Sequence, residues 1–161
     1  MAPFQIRSIN QADQSWLPDF FVAHWGSTRA VVRGVLFMPH ELPGFVAEMD
    51  GTVIGVVTYR FLDGRTGEVA TLDSLREGIG VGGGLMRAVV EEMRRQRRSQ
   101  LVVVTTNDNL HALRFYQKCG FVLTDLRVNA LALSRRIKPE IPLLGIDDIP
   151  LRDEIELAMA L

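Results

Sequence analysis

The sequence predicts an α/β (α+β) fold in which strands and helices are intermixed. Three observations carry this expectation. Two turn signals in the first half, Asp50-Gly51 and Asp63-Gly64, lie between apolar runs and read as antiparallel hairpins. A turn over residues 76–84 has five glycines in nine positions and leads from a strand into a long amphipathic helix. The apolar, β-branched run 101–106 then follows, as expected of a strand covered on both faces.

Residues 4–9 alternate apolar and polar and read as a first strand. A helix is expected to begin between Asp13 and Pro18, because proline is accommodated in a first helical turn. Trp16, Phe20 and His24, flanked by Leu17, Phe21 and Trp25, make an apolar stripe at helical spacing. The stripe predicts core packing, with His24 a hydrogen-bonded core histidine. Ser27 is placed to cap a short helix over residues 28–33. Residues 34–44, with Pro39 and Pro43, read as irregular.

Strands are expected at 45–49, 53–61 and 67–75, joined by the two turns. Residues 82–97 form the long helix, with Leu85, Val89 and Met93 on one face. The arginines at its C-terminal end complement the helix dipole. Asn107 or Asp108 is placed to cap a helix over 109–118, which Gly120 ends. A strand at 121–127 and a helix at 130–137 follow. After a loop at 143–148, residues 154–161 alternate apolar and acidic and read as a closing strand. That strand is expected to pair with the chain's own sheet or with the sheet of a second subunit, which makes a homodimer one expected arrangement.

The chain of 161 residues is large enough for one domain over 1–161, with 139–161 as a C-terminal extension ending in a strand. A net charge of −1 gives no reason to expect nucleic acid or an anionic membrane as partner. The single cysteine, Cys119, excludes an intrachain disulfide and a cysteine-rich metal site. It fits a reducing compartment. With no apolar run of signal or membrane-span length, the expectation is a cytoplasmic protein without metal.

The glycine turn carries the chemistry. Gly78, Gly80, Gly82, Gly83 and Gly84 let backbone N–H groups approach an anion closely, and the helix start adds unpaired donors and partial positive charge. The turn therefore reads as a pyrophosphate cradle. A dinucleotide-binding G-x-G-x-x-G is formally matched at 78–83, with Asp108 after the next strand as a ribose partner. Antiparallel hairpins rather than β-α-β units precede the turn, however, and little chain follows it for a substrate domain.

More residues resemble the GNAT superfamily of acetyl-CoA-dependent N-acetyltransferases. Glu77 to Gly82 resembles the family's Gln/Arg-x-x-Gly-x-Gly/Ala motif except at Glu77. Asn109, Ala112, Phe115, Tyr116, Gly120 and Phe121 match its Asn-x-x-Ala-x-x-Phe-Tyr…Gly-Phe pattern. The resemblance implies a GNAT-like mixed central sheet flanked by helices, with antiparallel N-terminal strands and a parallel pair around the CoA cleft. It implies acetyl-CoA as donor and a small-molecule or peptide primary amine as acceptor. It gives the cofactor to Leu72, Glu77, Gly78, Ile79, Gly80, Val81, Gly82, Gly83, Asn109 and Tyr116. Leu72 meets the cofactor arm through its backbone, and Asn109 hydrogen-bonds the pantetheine, unless it is simply a helix cap. Tyr116 stands at the position that protonates the departing thiolate, unless it is a packed aromatic. The amine needs a base, since only its neutral form attacks. Glu68 is the candidate, because an even spacing from Leu72 sets both on one face of the strand; its alternative is an exposed strand acid. A non-catalytic acyl-CoA binder is the other function class.

Overall fold

The computed structural model describes residues 3–161. The elements in chain order are β1 (Gln5–Ser8), α1 (Leu17–Trp25), β2 (Ala30–Val32), β3 (Val35–Phe37), β4 (Gly44–Met49), β5 (Thr52–Phe61), β6 (Thr66–Ser74), α2 (Val81–Arg95), β7 (Gln100–Thr106), α3 (Leu110–Lys118), β8 (Val122–Arg127), α4 (Ala130–Ile137) and β9 (Glu154–Ala160). Short 3-10 turns occupy Gln11–Ser15, Pro39–Glu41 and Ile146–Asp148. Seven strands hydrogen-bond in the order β1-β4-β5-β6-β7-β9-β8, with β2 and β3 paired separately. The sheet is mostly antiparallel, with β6 and β7 as its parallel pair. The expected α/β class, a mixed sheet flanked by helices, is the one observed.

The chain divides into two compact units. The first comprises the chain up to Thr28, Met38–Leu101 and Ala160–Leu161. Here β1, β4, β5 and β6 run antiparallel, each to the next. The β4–β5 turn is Asp50-Gly51, with φ of 52° and 75°. A two-residue hairpin loop of this kind needs two consecutive left-handed residues, which is why the dipeptide signals it. On one face of the strands, Leu17 and Phe21 of α1 bury against Val56. On the other, α2 buries Leu85, Val89 and Met93 completely. The helix approaches closely there. A Cβ on Gly55 would come within 2.6 Å of Val81 Cγ1 and 3.0 Å of Leu85 Cδ1, and one on Gly67 would collide with Met93 Sδ.

β6 is not a regular strand. Thr58 pairs with Thr71 but Tyr59 pairs with Val69, so Ala70 is an extra residue opposite β5. A bulge of this kind shifts the inward–outward alternation by one. Before it, Glu68 stands opposite Arg60; after it, Leu72 stands opposite Val57 and Asp73 opposite Val56. Arg60 and Val56 lie on the α1 face of β5, whereas Val57 lies on the α2 face. Glu68 therefore shares its face with Asp73 and not with Leu72. This corrects the same-face expectation for Glu68 and Leu72, which assumed unbroken alternation.

The second unit comprises Arg29–Phe37 and Val102–Met159. Residues 28–33 do not form the expected helix. The β-branched pair Val31-Val32 is in β2, and Arg33 and Gly34, at φ of 52° and 71°, turn the chain into β3. β8 and β9 pair antiparallel, with Leu123 opposite Leu157. The closing strand thus pairs within its own chain. Its simple alternation is also corrected: Glu154 is buried while Ile155 is only half-buried. The Glu154 carboxylate accepts from Arg127 Nη2 at 3.0 Å and from the Arg33 backbone amide at 3.2 Å.

Candidate functional site

In the first unit, β6 and the start of α2 hold most of the residues singled out above. Gly78 and Gly80 have φ of 79° and 84°, where L side chains are strained. A Cβ added to either would meet nothing within 4 Å, so the turn faces open space. Gly80 is the N-cap of α2, and no side chain caps the helix. The first helical bond runs from the Gly84 amide to the Gly80 carbonyl at 2.9 Å. The amides of Val81, Gly82 and Gly83 precede it, at the partially positive end of a 15-residue helix. This donor set fits a diphosphate. Glu77 and Ile79 are exposed beside it. Leu72 is half-buried on β6.

Glu68 is a buried acid, not an exposed one: the residue is 1% exposed. Its Oε2 accepts from Arg60 Nε at 2.5 Å. On the same face, the hydroxyls of Thr58 and Thr71 lie 2.6 Å apart. Further along the same face is Asp73, opposite Val56. Trp25, the last residue of α1, donates its indole N–H to both carboxylate oxygens of Asp73, at 3.0 Å each. Burial pushes the Asp73 carboxyl above the ordinary range, offset in part by the Trp25 bond and by nearby His24. His24 itself is exposed, its ring 4.4 Å from that of Phe20. This corrects its expected place in the core. The end of a nine-residue α1 leaves His24 and Trp25 outside the buried stripe.

In the second unit, Asn109 is the N-cap of α3, with Oδ1 accepting from the Ala112 amide at 3.0 Å. This is the cap given above as the alternative for Asn109, and not a cap by Asn107 or Asp108. Those two side chains instead tie down the segment before β9. Asn107 Oδ1 accepts from the Arg152 and Asp153 amides at 3.0 and 2.9 Å. Asp108, 5% exposed, accepts from Thr106 Oγ1 at 2.5 Å and from the Ile146 amide at 2.9 Å. A carboxylate so occupied is ill-suited to hold a ribose, which counts against the dinucleotide reading. Tyr116 is 8% exposed and meets Phe115 and Phe121 edge-on, at ring distances of 5.5 and 5.8 Å.

Among the described residues, no group of three or more His, Cys, Asp or Glu is arranged to hold a metal ion. Nor is any described helix long and apolar enough to cross a membrane.

Comparison with known proteins points one way. The profile of the acetyltransferase (GNAT) family matches residues 9–121. The uncharacterized protein YxbD of Bacillus subtilis (strain 168) is 40% identical over 94% of this chain and 95% of its own. Among solved structures, a GNAT family acetyltransferase from Elizabethkingia anophelis with acetyl-CoA bound superposes with a TM-score of 0.70 at 22% identity, over 100% of both chains. The IAA acetyltransferase from Bacillus cereus ATCC 14579 superposes with a TM-score of 0.69 at 25% identity, over 98% of this chain and 99% of its own.

Proposed function

Because the chain belongs to the GNAT acetyltransferase family, we propose that it transfers an acetyl group from acetyl-CoA to a primary amine of a small molecule or peptide. The observation that carries this reading is the start of α2. Its leading amides are uncapped, and Gly78 and Gly80 hold a turn that a diphosphate can approach. Acetyl-CoA supplies the acetyl group as a thioester. Gly78 to Gly83 hold its diphosphate, the Leu72 backbone orients its arm, and Asn109 contacts the pantetheine through whatever its capping bond leaves available. Tyr116 delivers a proton to the departing sulfur. These roles rest on the motif resemblance together with the local geometry of each residue.

Glu68 fits the role of base poorly. An Oε2 held by a guanidinium at 2.5 Å is occupied, and the side chain is 2% exposed. Its reading here is structural: it neutralises Arg60 inside the first unit.

The test is thiol release from acetyl-CoA by the purified protein, against a panel of primary amines: a polyamine, free lysine, an arylalkylamine and a short peptide with a free N-terminus. Amine-dependent release supports the reading. Tight acetyl-CoA binding with no release for any amine would make the protein an acyl-CoA binder instead.

A further inference from the structure

We propose that Asp73 is the group that takes the proton from the acceptor amine, and that Trp25 positions it. The inference rests on the acetyltransferase reading above and deepens it. Its ground is the bulge at Ala70. Without the extra residue, Asp73 would turn toward α2; with it, Asp73 turns toward α1. Asp73 also follows Leu72 directly, so its Cα lies about 3.8 Å from that of the residue assigned to the cofactor arm. Glu68 pairs with Arg60, four positions along β5 from Val56, the partner of Asp73, and so lies about 13 Å further up the strand at about 3.3 Å per residue.

The two carboxylates on this face are held differently. Glu68 accepts from a guanidinium. Among the described residues, the hydrogen-bond donor to Asp73 is a neutral indole. A neutral donor fixes the orientation of a carboxylate without neutralising it. The single N–H reaches both oxygens and leaves acceptor capacity on each. Burial favours the protonated form, which makes the carboxylate a stronger base than an exposed aspartate. His24 on α1 acts against the burial effect, and Arg60 and Glu68 on the same face of the strands compensate each other.

The ammonium form of the acceptor gives one proton to the Asp73 carboxylate, which frees the nitrogen lone pair. The N–C bond to the acetyl carbon forms, and the C–S bond breaks with its electron pair passing to sulfur. Sulfur takes the proton from Tyr116, and the second proton lost by the nitrogen restores the phenol. Asp73 returns its proton to solvent.

Asp73→Asn tests this with two readouts. With an amine that the wild type acetylates, kcat should fall at least 100-fold, in the range for one acid–base group. Acetyl-CoA affinity by calorimetry should stay within a few-fold. The second readout needs no acceptor. A folded-state pKa raised above the unfolded value makes the ionised carboxylate a cost at higher pH. Asp73→Asn should therefore melt higher than wild type at pH 8, with the difference vanishing near pH 3. Trp25→Phe should keep much of kcat but move the acid limb of the pH–rate profile upward, since a bond that favoured ionisation is gone. Wild-type turnover in Asp73→Asn overturns the assignment alone. A variant that loses turnover but melts lower at pH 8, or loses acetyl-CoA affinity, makes Asp73 a structural residue. A wild type that acetylates no amine in the panel overturns the acetyltransferase reading and this assignment with it.

Discussion

Arg60 Nε lies 2.5 Å from Glu68 Oε2 across β5 and β6, with the two side chains 15% and 2% exposed. Pairs held this far from water contribute little net stability, yet leaving one member alone is costly. Arg60→Met should lower unfolding stability by about 3 kcal/mol, toward the lower end of the range for a stranded buried charge. Arg60→Met with Glu68→Leu should recover most of that loss. Urea denaturation of both variants checks this; equal losses in the two would show that the pair is not coupled.

The glycine turn should distinguish its ligand by stabilisation. Acetyl-CoA at about 100 times its Kd adds about 2.7 kcal/mol to the folded state, and NAD should add nothing. Gly82→Val places a branched side chain among the leading amides of α2. It should weaken CoA binding at least tenfold, about 1.4 kcal/mol. Thermal shift and calorimetry read both. Stabilisation by NAD alone would remove the acetyltransferase reading.

Tyr116→Phe keeps the ring that meets Phe115 and Phe121, so the melting temperature should hold. Only the hydroxyl is lost. If it protonates the departing sulfur, kcat should fall by roughly 10²–10³-fold with acetyl-CoA affinity within a few-fold. Single-turnover rates with a leaving thiol of lower pKa should show a smaller defect. Turnover at the wild-type rate would make the tyrosine a packing residue.

Acid should unfold the protein partly through Asp13 and Asp153. Hydrogen bonds from Arg7 hold Asp13 below the ordinary carboxylate range, and those from Arg152 do the same for Asp153. A depressed folded-state value stabilises above the unfolded pKa, about 3.9, and that contribution is lost as pH falls through the folded value. Melting temperature should therefore drop below about pH 4, and the drop should be shallower in Asp13→Asn. Asp73 works in the opposite direction, because its carboxyl is raised. An acid branch unchanged in Asp13→Asn would show that the Arg7–Asp13 pair contributes little.

What the sequence made legible is what short-range chemistry encodes. Asp50-Gly51 announced its hairpin because only certain dipeptides take two left-handed residues cheaply. The helix Ala130–Ile137 was read with its observed limits, and the α2 stripe was read correctly. The failures have physical causes too. Arg33 adopts the left-handed turn without being Asn, Asp or Gly, so the β2–β3 hairpin carried no strong local signal. Glu154 is buried because Arg127 and the Arg33 amide meet it from 27 and 121 residues away, separations that no alternation pattern contains. In the candidate site, the glycine turn and Asn109 were visible as motifs. The Trp25–Asp73 contact spans 48 residues, and Ala70 looks like any strand alanine.

That alanine makes the facing of everything after it in β6 depend on a count. Removing Ala70 would exchange the environments of Leu72 and Asp73 while changing neither: the leucine would meet the indole of Trp25 and the carboxylate would enter the packing beneath α2. A deletion of one small, chemically inert residue would thus undo more of this strand than a substitution at either neighbour. When relatives are aligned, a gap misplaced by one position here would compare residues from opposite sides of the sheet.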